Sequence, residues 1–342
     1  MVARKGICGV AAVLVVLMAA ACGDGGQNRA APKDRHLVYV AGESARDASV
    51  WIAAADGGHA RKLSEGSAGV LSPDGRTVAV QRRAGGVALL SADGKTSHEL
   101  TAQRLHPQAW SPDGKTLYAT AATGPAVVKL LGLDRETGRA RQIASGSLYG
   151  FDLAPDGKHI VYSRAPEATD QGICGDQFDL YVADPDGGSA KRITHDGLSA
   201  FPVWGDSGIA FSHFPPGRTL EDCSSPGIWT IGADGGEPSP VIARAPDSIV
   251  VLGFYGLQPL AWLDGERLLI GLRSEFGTKA AVLDTKSHRL RQFDDYADIA
   301  SSDGRFYVGS GGDEGLALTI RRVSDGHRVL LRENACCPSW NR

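Results

Sequence analysis

One short pattern recurs along the chain and restricts its fold more than anything else. The segments LSPDGRTVAV (71–80), WSPDGKTLYA (110–119), LAPDGKHIVY (153–162), WGDSGIAFS (204–212), WLDGERLLI (262–270) and SSDGRFYVG (301–309) align on Asp74, Asp113, Asp156, Asp206, Asp264 and Asp303. Their spacings are 39, 43, 50, 58 and 39 residues. Trp110, Trp204, Trp262 and Trp340 share one repeat position, so the chain ends where another copy begins. In each copy, Pro-Asp-Gly or its variant makes a tight turn, because Pro presets φ and Gly accepts positive φ. An apolar or alternating strand follows, then a third strand, often a second Asp-Gly turn (Asp56-Gly57, Asp93-Gly94, Asp186-Gly187, Asp234-Gly235), and a fourth strand. A period of about 40 residues with four strands per repeat is the pattern of β-propeller blades. The fold class is all-β: a seven-bladed β-propeller of four-stranded blades, or six blades if one of the divergent fourth and fifth repeats is not a true blade. Leu37–Val40 reads as a second strand with no inner strand before it, and Ala335–Trp340 as an inner strand with nothing after it. The C-terminal strand is therefore expected to close the ring and remove an exposed sheet edge.

The first residues have a different character. Arg4 and Lys5 precede an apolar run from Ile7 to Ala21, too short to span a bilayer comfortably and suited to a signal peptide over 1–21. Ala19-Ala20-Ala21-Cys22 resembles the lipobox of bacterial lipoproteins, which implies acylation at Cys22. The Gly-rich polar segment after it makes 22–36 a lipidated flexible tether, and the propeller occupies 37–342. Export implies an oxidising compartment. Of six cysteines, Cys8 leaves with the signal and Cys22 carries lipid. Cys174 and Cys223 fall on long insertions of neighbouring blades and are expected to form a disulfide. Cys336 and Cys337 are adjacent; a vicinal disulfide, two thiols, or one bridging to a loop are the alternatives.

The whole mature segment, with its WSPDG-type turns, resembles the TolB-like β-propellers. The resemblance implies the fold; its motif residues build turns and blade cores rather than a site. Thirty-six basic and 39 acidic residues, a net charge of -3, supply no basic footprint for nucleic acid. Gly205-Asp206-Ser207-Gly208 and Asp184-Pro185-Asp186-Gly187 imitate a serine-protease signature and a calcium loop, but both coincide with repeat turns and read as turns. No metal or cofactor is expected.

In a four-stranded blade, the first-to-second and third-to-fourth turns share one face. The long insertions at 164–177, 215–227 and 244–258 all fall on the other. Long loops on a rigid scaffold are where binding tends to reside. His106, Tyr149, His213, Tyr255 and Asp298 lie near strand ends on that face and form the candidate binding surface. The expected function is a cell-envelope lipoprotein, held to the outer face of the membrane, that presents this surface to an envelope protein or peptide. The alternative is a carbohydrate binder or lyase- or hydrolase-like enzyme in the axial pocket, which requires His106, His213 and Asp298 to converge.

Overall fold

The computed structural model describes residues 36–340, apart from 43, 45, 125–126, 168–171, 218–225, 247–253, 275–276 and 312–316. The repeats become antiparallel sheets in chain order. Strands β1 (His36–Ala41), β2 (Ser49–Ala54) and β3 (Arg61–Glu65) form the first. The second holds β4 (Ala68–Leu71), β5 (Thr77–Gln81), β6 (Val87–Ser91) and β7 (Ser97–Thr101). A seven-stranded sheet follows, of β8 (His106–Trp110), β9 (Thr116–Ala122), β10 (Val128–Asp134), β11 (Ala140–Leu153), β12 (Ile160–Ala165), β13 (Asp179–Ala183) and β14 (Lys191–Arg192). Three four-stranded sheets complete the series. They are β15 (Ser199–Gly205), β16 (Gly208–His213), β17 (Pro226–Gly232) and β18 (Gly235–Arg244); β19 (Phe254–Trp262), β20 (Arg267–Ser274), β21 (Gly277–Asp284) and β22 (Leu290–Tyr296); and β23 (Ile299–Ala300), β24 (Phe306–Gly311), β25 (Ala317–Arg322) and β26 (Arg328–Glu333). The last strand, β27 (Ala335–Trp340), pairs antiparallel with β1, bringing Leu37 opposite Trp340. Among the described residues the one helical element is a short 3-10 turn at Gly172–Cys174, and no helix is long and apolar enough to cross a membrane.

Two strands depart from the sequence-based expectation. Arg139–Ile143 and the strand ending at Leu153 read as separate elements, yet β11 runs through both. Its first half pairs with β10 and its second half with β12. No Pro or Asp-Gly turn separates the halves, so the backbone stays extended, with one register shift at Ile143 against β10 and another between Leu148 and Phe151 against β12. The fourth strand expected at Ala190–Thr194 shortens to Lys191–Arg192. Thr194 leaves the ladder because its hydroxyl donates to Asp179 and accepts from the Leu180 amide.

Packing follows strand alternation, which puts every second side chain on the same face of a sheet. Both faces of a blade are covered by neighbours, so both must be apolar. Val38, Val50 and Ile52 of the first sheet meet Val78, Val80 and Leu90 of the second. Leu37 and Tyr39 meet Phe306, Val308, Leu318 and Ile320 of the last, with Trp340 buried among them. The repeated Trp position serves the same packing. The Trp110 indole donates to the Val70 carbonyl of the preceding sheet. In the regular repeat Trp110 is followed by Ser-Pro-Asp, whereas Trp204 is followed by Gly205 and then Asp206. A Cβ there would come within 2.4 Å of the Trp262 ring. Close approach of that indole leaves no room for a side chain at this position.

Candidate functional site

The two ends of the molecule are built differently. One end carries the turns, and they repeat a single geometry. In five of the six aligned turns, the aspartate Oδ1 accepts the backbone N–H two residues on: Arg76, Lys115, Lys158, Glu266 and Arg305, at 2.9–3.1 Å. Ser72, Ser111 and Ser301 reinforce it, each hydroxyl donating to the same aspartate at 2.5–2.8 Å. The hydrogen bond from Ser111 and that from the Lys115 amide hold Asp113 below the usual carboxylate range. Asp93, in a third-to-fourth turn, is drawn down to about 2, chiefly by Ser91. These carboxylates are occupied by their own turns. A cavity of about 230 Å³, lined by His36, Ile52, Ala53, Ala54, His59, Arg61 and Ala92, opens at this end.

The opposite end has no shared geometry; each candidate residue has its own partner. His106 opens β8, and its Nδ1 lies 3.0 Å from the Gln81 amide oxygen. Loss of solvation around the ring lowers its pKa, favouring the neutral imidazole. The Tyr149 hydroxyl donates to Asp176 at 2.9 Å, and its ring packs 5.0 Å from Phe178. Asp176 is fully buried, so this contact anchors the base of a long loop instead of facing a ligand. His213 ends β16; its Nε2 sits 2.7 Å from Asp196, and its ring stacks on Trp229 at 4.3 Å. Burial pushes Asp196 up, but hydrogen bonds from His213 and the Leu198 amide outweigh it and leave the carboxyl below its ordinary range. Asp298 shows the opposite balance. Burial raises it, and the Ser310 amide and hydroxyl, at 2.8 and 2.6 Å, only partly offset the rise. Cys22 and Cys223 lie outside the described residues, as do the side chains of Cys174 and Tyr255, so the Cys174–Cys223 pairing falls outside them too.

Among the described residues, each candidate side chain is seen in a pair of its own. His106 lies in β8, His213 in β16 and Asp298 in the connection between β22 and β23, each with its own partner, and among the described residues no three His, Cys, Asp or Glu side chains are arranged to hold a metal ion. Asp298 is instead close enough to Cys337 for its charge to act on that thiol. Sequence reasoning missed two arginines. Arg273, at the end of β20, lies over the Phe201 ring at 5.1 Å; burial lowers its pKa. Phe201 holds a left-handed φ of 52° at a bulge of β15. Arg164, near the end of β12, has a buried Nε with no hydrogen-bond partner. Nothing in the local sequence marks Arg273, because the ring beneath it comes from another repeat.

No protein-family model matches the chain, and no curated protein matches it. Solved structures do. TolB from Acinetobacter baumannii is 16% identical with a TM-score of 0.54, over 91% of this chain and 68% of that one. Oligogalacturonate lyase from Vibrio parahaemolyticus is 15% identical at a TM-score of 0.60, covering 85% and 87%. The β-propeller domain of the Trilobed protease from Pyrococcus furiosus, described as having an open velcro topology, is 12% identical at 0.62, covering 88% and 97%. At such identities the likeness speaks for architecture: this chain has the fold of a TolB-like β-propeller.

Proposed function

We propose that this protein is an exported, lipid-anchored envelope protein that offers one face of a seven-bladed propeller to a protein or peptide partner. The seven-stranded sheet counts as two blades sharing β11, and β27 completes the first blade and closes the ring. Cys22 carries the lipid, 1–21 is the signal, and 22–36 spaces the propeller from the membrane. One observation carries the interaction reading: the contrast between the faces. Turn-face aspartates are consumed by repeated local bonds, whereas the long-loop face presents dissimilar groups, His106, His213 with Trp229, and Arg273 on Phe201. Unlike groups spread over several blades suit a broad partner more than a single reacting atom.

The test is capture from membranes with the tethered protein as bait. A His106→Ala/Arg273→Ala variant should lose the partner, and an Asp93→Ala/Lys95→Ala variant on the turn face should keep it. Loss only in the turn-face variant overturns the assignment. Cys22→Ala should release the protein from membranes or block its processing; unchanged membrane association and acyl labelling would remove the tether.

A second reading has one observation of its own. Arg164, with its unpaired buried Nε, and the half-buried Arg273 suit an acidic ligand such as a uronic-acid oligosaccharide. Saturable calorimetric binding of such an oligomer, abolished by Arg273→Ala, would favour this reading over the protein partner.

A further inference from the structure

In a regular strand, adjacent side chains point to opposite faces, so neighbouring cysteines hold their sulfurs apart. Cys336 and Cys337 break that rule. Cys336 is opposite Val40 and Ser339 opposite Val38, which leaves Cys337 and Pro338 facing the single residue Tyr39. This is a β-bulge, and Pro338 has no N–H to give to a ladder there. Cys337 takes a left-handed φ of 57°, a conformation costly for a side chain with a Cβ. Bulge and turn together bring the two sulfurs to 2.7 Å. The thiols are unequal: Cys336 is 7% exposed, packed with Val38, Val40 and Val50, and Cys337 is exposed.

We propose that Cys336–Cys337 is a thiol–disulfide exchange site, with Cys337 the nucleophile and Cys336 the resolving thiol. The co-reactant is a small disulfide. Cys337, deprotonated, attacks one of its sulfurs; a mixed disulfide forms, and the released thiolate takes up a proton. The Cys336 thiolate, its proton lost to solvent, then attacks the Cys337 sulfur and expels the second thiol. Two S–H bonds are oxidised to one vicinal disulfide, and the co-reactant is reduced to two thiols. Access selects Cys337 for the first step, because the partner sulfur must approach in line and Cys336 lies under the sheet. A hydrogen bond from Cys336 also lowers the Cys337 pKa, outweighing partial loss of solvation and the Asp298 charge. The product ring needs a distorted local backbone, and the bulge has already supplied one. None of this depends on the lipid anchor or on the partner proposed above.

The test uses the purified, reduced full chain treated with oxidised glutathione. Trypsin releases Glu333–Arg342, which contains both cysteines and no others. The expected wild-type peptide is two hydrogens lighter, carries no glutathione, and no longer reacts with iodoacetamide until reduced. Cys336→Ser should retain one glutathione on Cys337, and Cys337→Ser should acquire none. A stable adduct in the wild type, persistence of both reactive thiols, a link from this peptide to Cys174 or Cys223, or equal labelling of the two variants would each overturn the proposal. The wild-type result stands without either variant.

Discussion

The WSPDG turn at 110–114 and the His213 site lie at opposite ends of the molecule and are stabilised on different principles. In the turn, Ser111, Asp113 and the Lys115 and Thr116 amides satisfy one another within six residues. At the other end, His213 depends on Asp196, 17 residues away, and on Trp229 from the next strand. Local closure can be copied from blade to blade, because it asks nothing of its neighbours. The long-loop groups cannot be copied, because each relies on what another repeat supplies. Repetition therefore marks scaffold, and departure from repetition marks candidate function.

The largest test of this contrast removes a distant contribution from the scaffold itself. Deleting 335–342 takes away β27, and we expect the chain to aggregate or fail to fold. Trp340→Ala alone should cost about 3–5 kcal/mol in denaturant unfolding, by the loss of a large buried side chain. Trp340→Phe should be much milder, since the indole N–H is buried with no partner to lose. A truncated protein with an unchanged melting temperature would rule out ring closure by this strand.

A smaller effect sharpens the claim that the turns are self-contained. Ser111→Ala removes a donor to Asp113 and an acceptor for the Thr116 amide, and should cost about 1–3 kcal/mol. The third of the aligned turns already carries Ala154 at that position, and Asp156 still accepts the Lys158 amide. Ala154→Ser should therefore stabilise the protein by up to about 1 kcal/mol. If both substitutions leave the melting temperature unchanged, the serine is not part of the turn's stability.

The smallest and most diagnostic effect is in pH dependence. Asp113 is lowered in the folded state, so it stabilises above the ordinary carboxylate pKa, and this contribution is lost as pH falls through the folded value. Asp298 is raised by burial, so the folded state holds its proton longer than the unfolded chain. Its contribution falls as pH climbs from the unfolded pKa through the folded one. Relative to wild type, Asp298→Asn should gain stability as pH rises from acid to neutral, because its amide oxygen still accepts from Ser310 without carrying charge. Asp113→Asn should lose stability over the same rise. Parallel pH profiles for the two variants would contradict the opposed electrostatics of these two carboxylates.

Much of the fold was legible in the sequence. The Asp-Gly turns and alternating strands are encoded in contiguous residues, and the propeller architecture followed from their repetition. The candidate face was legible only as a set of loops. His106 and His213 were visible as residue types, but not that Gln81 and Asp196 would occupy them. Arg273 and Phe201, 72 positions apart, carried no signal at all.

The sequence by itself determined where the chain turns, which strands are apolar on both faces, and that four tryptophans occupy equivalent positions, because backbone preference and side-chain alternation act over a few residues. Tertiary structure alone decided that β11 would run unbroken through two repeats, that Asp298 would stand beside Cys337, and that a two-against-one register at Tyr39 would turn two adjacent thiols toward each other. Those outcomes depend on the register between distant strands and on what each packed sheet excludes from water, and neither quantity exists until the sheets have assembled.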